Sequence, residues 1–242
     1  MRFPAPTCKS LGSFLSQPYA VPLLTRALAP YASSKAEAER VLLTANGSRP
    51  GFETLALRPP LIWGAGMPTL DHMVERVRAG RWQWVGGGGQ AMSTCHVDNL
   101  CHALLLAADR GRGGEAYFVS DGENGTLKSV ISDLLGTRGV VPEDRAAPFA
   151  VAWAMAGVLG VVWGALRLKG EPPLTRQMLR LIGKPFTVRS DKAGAELGYR
   201  PRITWVEGIS AMRHVSPDAT VSASALVTGS QTGPSHLAPK IS

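Results

Sequence analysis

The chain has 242 residues, 45% of them hydrophobic and 18% charged, enough apolar material for one sizeable core, or one core and a small lobe. That composition excludes a disordered protein. The formal net charge of +8 suits an anionic partner such as a nucleotide cofactor or an acidic lipid surface, but no RNP-like aromatic motif, zinc-finger spacing or basic-region helix accompanies it, so no nucleic acid is expected as a partner.

Residues 1–16 hold Pro4, Pro6, Lys9 and Gly12 and lack the continuous apolar core of a secretory signal, so no export is expected. The three cysteines, Cys8, Cys95 and Cys101, form no CxxC pair and fit a reducing compartment. After Pro30, "YASSKAEAERVLLTANG" is built of helix formers and stops at Asn-Gly. Tyr31 and Lys35 lie four positions apart, so a helix places them on one face as a candidate proton-transfer pair; taken alone, such a spacing is more often an ordinary surface pair.

"FETLALRPPLIWGAG" predicts a buried strand that ends in a loop at Pro59 and Pro60. "LDHMVERVRAG" spaces its apolar residues helically up to Gly80, and "WQWVGGGG" is strand-like and runs into a turn at Gly86–Gly89. "STCHVDNLCHALLLAADRG" starts extended, with Cys95 and Cys101 expected to be buried. It continues as a helix, with Asp98 and Asn99 as the predicted caps, His96 as a packing residue and Gly111 as the stop. Crowding of Cys95, His96, Cys101 and His102 suggests zinc, but no second pair has ligand spacing and structural roles are preferred, so no metal is assigned. "EAYFVSDGENGT" supplies another strand and turn. Strands and helices thus alternate, which predicts an α/β fold with a largely parallel sheet.

From Ala146 to Leu166 no side chain is charged, a length that could match a bilayer core at 1.5 Å per residue. The run is rich in Ala and Gly and globular sequence follows it, so a buried or in-plane segment is preferred to a spanning helix. Gly157, Gly160 and Gly164 imitate dinucleotide-loop spacing without the strand and helix that motif requires, and are assigned to helix packing. The end of the chain, "HVSPDATVSASALVTGSQTGPSHLAPKIS", predicts a disordered tail.

"YASSK" supplies the YxxxK signature of the short-chain dehydrogenase/reductases, followed in order by "LALRPPLIWGAG", "CHVDNLCHALLLAA", "GEAYFVSDGE" and "SDKAGAELGYRPRITWVEGI". Between about Gln17 and Arg213 the chain most resembles the extended branch, in its 3-beta-hydroxysteroid dehydrogenase/isomerase group. The resemblance implies an incomplete Rossmann-type parallel sheet with a small, mainly helical substrate lobe. Its first βαβ units, GxxGxxG loop and NAD-versus-NADP discriminating residue would lie ahead of a tyrosine that this chain reaches at position 31, so the expected chain is N-terminally truncated. It divides the chain into a non-family N-terminus (1–16), a Rossmann-like part (17–145), a hydrophobic segment and substrate lobe returning to the sheet (146–213) and a tail (214–242).

The same resemblance implies NAD or NADP as cofactor, NAD being favoured. Tyr31 and Lys35 would be catalytic and touch the cofactor, and Pro59, Pro60 and Leu61 would wall the nicotinamide. The expected third catalytic hydroxyl falls near Thr7, whose surroundings do not fit, so none is assigned. A cationic Lys35 would favour the phenolate of a tyrosine whose ordinary pKa is about 10. The implied substrate is a sterol-like or other hydrophobic alcohol or ketone. The expected setting is cytoplasmic, with peripheral membrane contact through 146–166 and a homodimer among the expected partners. Two alternatives stay open: a non-catalytic fragment that binds lipid or a partner chain, and a nucleotide-sugar epimerase or dehydratase.

Overall fold

A computed structural model describes residues 30–167, 172 and 174–214. In chain order its elements are α1 (Pro30–Thr44), β1 (Ala56–Arg58), β2 (Leu61–Trp63), α2 (Pro68–Arg78), β3 (Trp84–Val85), β4 (Ala91–His96), α3 (Val97–Arg110), β5 (Ala116–Phe118), β6 (Asn124–Thr126), α4 (Leu127–Gly136), β7 (Ala146–Ala147), α5 (Phe149–Ala165), α6 (Arg176–Ile182), α7 (Asp191–Leu197) and α8 (Trp205–His214). The predicted N-terminal segment 1–16 and the tail beyond His214 lie outside the described residues, as do Thr7 and Cys8.

The predicted α/β alternation is present. β1 runs parallel to β5, with Leu57 opposite Tyr117; β2 runs parallel to β4, with Ile62 opposite Cys95; and β3 runs parallel to β7. Among the described residues only β4 and β6 pair antiparallel. The double proline does not end its strand, as the sequence predicts, but divides it. Neither Pro59 nor Pro60 has an N–H to give a ladder, so pairing to β5 lapses and the chain resumes two residues later against β4.

One apolar cluster holds Trp63, Leu70, Trp84, Ile131, Leu134 and Leu135, packing α2 and α4 against β2 and β3. A second packs α3 and α7 on β4 and β5 through Cys95, Ala103, Tyr117 and Leu197. Complete burial of a single Leu in such clusters is worth about 2 kcal/mol, so they, more than helix propensity, hold the layers together.

Two assignments at β4–α3 need correction. The cap of α3 is His96, whose Nδ1 accepts from the Asp98 N–H at 3.2 Å, while Asp98 sits in the first turn and Asn99 is buried for another purpose. Cys95 is buried but Cys101 is exposed, because β4 sends Cys95 into the sheet interior whereas α3 turns Cys101 to its outer face. The uncharged run is not one long helix. It divides into β7, Pro148 and the 17-residue α5, and among the described residues no helix is long and apolar enough to cross a membrane. Of its glycines only Gly157 serves close packing, against the Arg176 guanidinium; Gly160 and Gly164 face open space.

Candidate active site

The first part of the site is α1. Tyr31 and Lys35 both lie within this helix, one turn apart; Lys35 is exposed, and the Tyr31 side chain lies outside what is described. Glu39 falls one further turn along the same face. Its carboxylate is gripped by Arg58 at the end of β1: Nε donates to Oε2 at 2.9 Å and Nη2 to Oε1, a two-pronged fork in which both side chains are less than one-fifth exposed. Arg58 also lies over the Phe118 ring of β5 at 5.4 Å. The fork therefore joins α1 to the strand end from which Pro59, Pro60 and Leu61, all half-buried, depart.

Behind that wall stands a buried polar hub absent from the sequence-based site. Asp121, just after β5, receives four hydrogen bonds on its carboxylate. Oδ2 accepts from Trp63 Nε1 at 2.7 Å and Thr94 Oγ1 at 2.8 Å; Oδ1 accepts from the His96 N–H and from Asn99 Nδ2, each at 2.7 Å. Asn99, fully buried, passes the link onward. Its Oδ1 accepts from the backbone N–H groups of Arg202 and Ile203, and its Nδ2 also donates to the Ile203 carbonyl. One carboxylate and one amide thus tie together β2, β4, the start of α3 and the segment ahead of α8. The sequence signal was slight: Asp121 stands in "SDGE", where a turn is the simplest reading.

The hub shapes nearby acidities. Burial, and next the Asp121 charge, push the Cys95 thiol up to about 12, so it stays protonated and inert. Burial likewise raises the Tyr199 phenol, whose hydroxyl donates to the Ser120 carbonyl at 3.0 Å, and the Tyr117 phenol. Neither tyrosine is thereby suited to proton exchange near neutrality. Among the described residues no group of three or more His, Cys, Asp or Glu could hold a metal ion.

Residues 21–143 match the 3-beta hydroxysteroid dehydrogenase/isomerase family. The chain belongs to that family. It is 42% identical over 197 residues to a 4-hydroxy-2-methyl-3-oxo-4-farnesyl-3,4-dihydroquinoline-1-oxide ketoreductase of Stigmatella aurantiaca, covering 81% of this chain and 58% of that one. It is 30% identical to the decarboxylating sterol-4-alpha-carboxylate 3-dehydrogenase of Dictyostelium discoideum, covering 74% and 55% of the two chains. Among solved structures, RMD from Pseudomonas aeruginosa complexed with NADPH superposes with a TM-score of 0.55 at 17% identity, over 86% of this chain and 61% of that one, a likeness of fold alone. The chain spans a little over half the length of these curated relatives.

Within the family frame, α1 is the YxxxK helix. Lys35 offers ammonium donors of the kind that suit ribose hydroxyls, and the Pro59–Leu61 turn offers an apolar wall without backbone donors at its two prolines, a donor set that fits a nicotinamide riboside. The glycine run at Gly86–Gly89 forms a 3-10 turn with φ of +61°, +77° and +70° at its first three residues, and no long helix begins there to meet a pyrophosphate.

Proposed function

We propose that the protein is an NAD(P)-dependent oxidoreductase, NAD being favoured, that interconverts a hydroxyl and a ketone on a sterol-like or other hydrophobic substrate. The observation that carries this reading is the seat of Tyr31 and Lys35 one turn apart on a single helix, joined by the Glu39–Arg58 fork to the strand that enters Pro59–Pro60. The relatives add support: one is named for a farnesylated quinoline ketone and one for a sterol carboxylate, both greasy frameworks bearing a reducible or oxidisable oxygen.

Tyr31 holds the proton that passes to or from the substrate oxygen. An isolated phenol, with a pKa of about 10, gives up its proton poorly at neutral pH; an ammonium group one turn away stabilises the phenolate and brings proton exchange into range. Lys35 holds the ribose hydroxyls, and Pro59, Pro60 and Leu61 keep water from the reacting carbon. When bound, the nicotinamide supplies or accepts the hydride at that carbon.

Membrane contact belongs to the same reading. The outer face of α5 leaves Val151, Met155, Val158 and Val162 at least one-third exposed, at the i, i+4, i+7 and i+11 positions of a single stripe. An in-plane seat at a lipid surface covers that stripe and brings the protein to the phase that holds its substrate.

The test is turnover with a panel of hydroxysteroids and long-chain 3-oxo compounds, followed at the reduced-nicotinamide absorbance band. The expected result is activity that falls by about 10²-fold or more in Tyr31→Phe. No turnover together with no cofactor binding by calorimetry would instead favour the non-catalytic fragment, and tight binding of a UDP- or GDP-sugar would favour the epimerase reading.

A further inference from the structure

The helix that carries Tyr31 and Lys35 is poorly anchored by packing. None of its side chains described from Ser33 to Thr44 is buried, and Val41 and Leu42 stand 56% and 39% exposed, so among the described residues only a thin apolar contact, the half-buried Ala36 and Leu43 beside Glu39, bears on its rotation about its own axis. Its far end is tied down: the Leu42 carbonyl accepts from Thr54 Oγ1 at 2.6 Å, and Asn46 Oδ1, just beyond the helix, accepts from the Thr54 N–H at 2.9 Å. Those bonds fix where α1 ends. They act about two turns or more beyond Lys35.

Glu39 is placed differently. It is one turn from Lys35 on the face that also holds Tyr31, and its partner Arg58 is itself fixed by its place in β1 and by the Phe118 ring. A planar guanidinium that meets a carboxylate through two hydrogen bonds constrains angle as well as distance, which a single bond or a lysine does not. We propose that Glu39 and Arg58 are a positioning pair: their fork sets the rotation of α1 and thereby the approach of the Lys35 ammonium to the Tyr31 phenol. Neither residue touches substrate in this role. The inference rests on the Tyr31–Lys35 reading above.

The experiment reads the phenol directly and requires no turnover. The chain has four tyrosines, Tyr19, Tyr31, Tyr117 and Tyr199, and burial holds the last two above the ordinary range. In a Tyr19→Phe background the earliest phenolate in an ultraviolet absorbance titration of the full chain is therefore assigned to Tyr31, and Tyr31→Phe removes it. Lys35→Met is expected to raise that midpoint by about one pH unit or more.

Two variants separate positioning from plain electrostatics. Glu39→Gln removes a negative charge, so Coulomb's law alone lowers the midpoint, whereas loss of the fork raises it. Arg58→Lys keeps its charge, so Coulomb's law alone leaves the midpoint in place, whereas loss of the two-pronged geometry again raises it. A rise of about half a unit in both, with unchanged far-ultraviolet circular dichroism, is the expected result. If Lys35→Met raises the midpoint while Glu39→Gln lowers it or Arg58→Lys leaves it unmoved, the positioning role is wrong and the Tyr31–Lys35 pair stands. If Lys35→Met changes nothing, the pair itself is wrong and the positioning role falls with it.

Discussion

The indole N–H of Trp63 donates to Asp121 Oδ2 at 2.7 Å across 58 residues of sequence, with Trp63 1% and Asp121 8% exposed. The bond joins β2, the strand resumed after the double proline, to the turn after β5. Its acceptor also takes Thr94 Oγ1, the His96 N–H and Asn99 Nδ2. Four donors converge on one carboxylate, so an amide is a poor substitute: Asn at this position points an NH₂ at N–H donors. Asp121→Asn is expected to cost about 3 kcal/mol, lowering Tm by on the order of 10 °C. Thr94→Val, which removes a single donor from a carboxylate that keeps three and nearly preserves volume, is expected to cost about half as much through the lost hydrogen bond. Thermal unfolding of both variants checks the order; an Asp121→Asn protein as stable as the parent would show that the hub is not a structural tie.

Cys95 gives stability a dependence on alkaline pH. Its folded-state acidity is weakened, with the thiol held up to about 12 against an ordinary value of 9.0, so the folded chain keeps a proton that the unfolded chain has already released. The contribution is complete below pH 9 and declines as pH rises toward about 12. Over that window this group alone steepens the loss of stability by at most about 1.4 kcal/mol per pH unit. Cys95→Ala is expected to start from a lower stability at pH 7, because a packed sulfur is lost, and to fall less steeply above pH 9. Denaturant titrations of parent and variant from pH 8 to about 10.5 measure the two slopes; parallel curves would refute the assignment.

The periodicities were good guides where contacts are local. The 3.6-residue spacing in "LDHMVERVRAG" and in "VDNLCHALLLAADR" placed α2 and α3, and Gly111 closed α3 as expected. The YxxxK pattern put Tyr31 and Lys35 on α1 because a four-residue spacing is itself a statement about a helix. What escaped was fixed by partners distant in sequence. Nothing near Pro60 says that Leu61 will find Thr94, and nothing in "SDGE" says that Asp121 will gather Trp63, Thr94, His96 and Asn99. His96 escaped as a cap for a different reason: an imidazole is an uncommon N-cap, and it serves here because the strand ends on the residue before the helix.

Gly64, directly after β2, holds φ at +140°, and a Cβ there would stand 2.8 Å from Val97 Cγ1 and 3.3 Å from His96 Nε2. Gly66, two residues on, also has positive φ (+77°), but a Cβ there meets open space. Gly64 therefore combines a collision with a φ that is essentially reserved for glycine, whereas Gly66 has only a milder positive φ. Gly66→Ala is expected to cost about 1 kcal/mol, and Gly64→Ala about 3 kcal/mol, the excess reflecting both the stronger backbone strain and displacement of the start of α3. Equal losses in the two variants would mean that the close approach of Gly64 to Val97 is relieved at little cost.

The apolar stripe of α5 stands beside a basic lobe. Arg176 and Arg180 lie over the Trp153 ring at 5.3 and 5.2 Å, Arg167 follows the helix and Lys184 follows α6, while from Ala146 to Arg189 the sequence holds a single acidic residue, Glu171. The opposite side of α5 is already occupied, with Ala152 and Ala156 buried against Leu179. A lipid seat on the outer stripe would combine apolar insertion with attraction to anionic headgroups, the latter worth about 1 kcal/mol for each basic side chain near the surface. The protein is expected to co-sediment with vesicles containing phosphatidylglycerol at least about ten-fold more strongly than with phosphatidylcholine alone, and added salt should narrow that difference. Met155→Glu combined with Val158→Glu places two carboxylates in the stripe, at 53% and 64% exposed positions where folding is little disturbed, and is expected to abolish sedimentation with either vesicle. Retention of full binding by that double variant would locate the lipid contact elsewhere. Binding unaffected by headgroup charge would mean that the basic lobe takes no part in it.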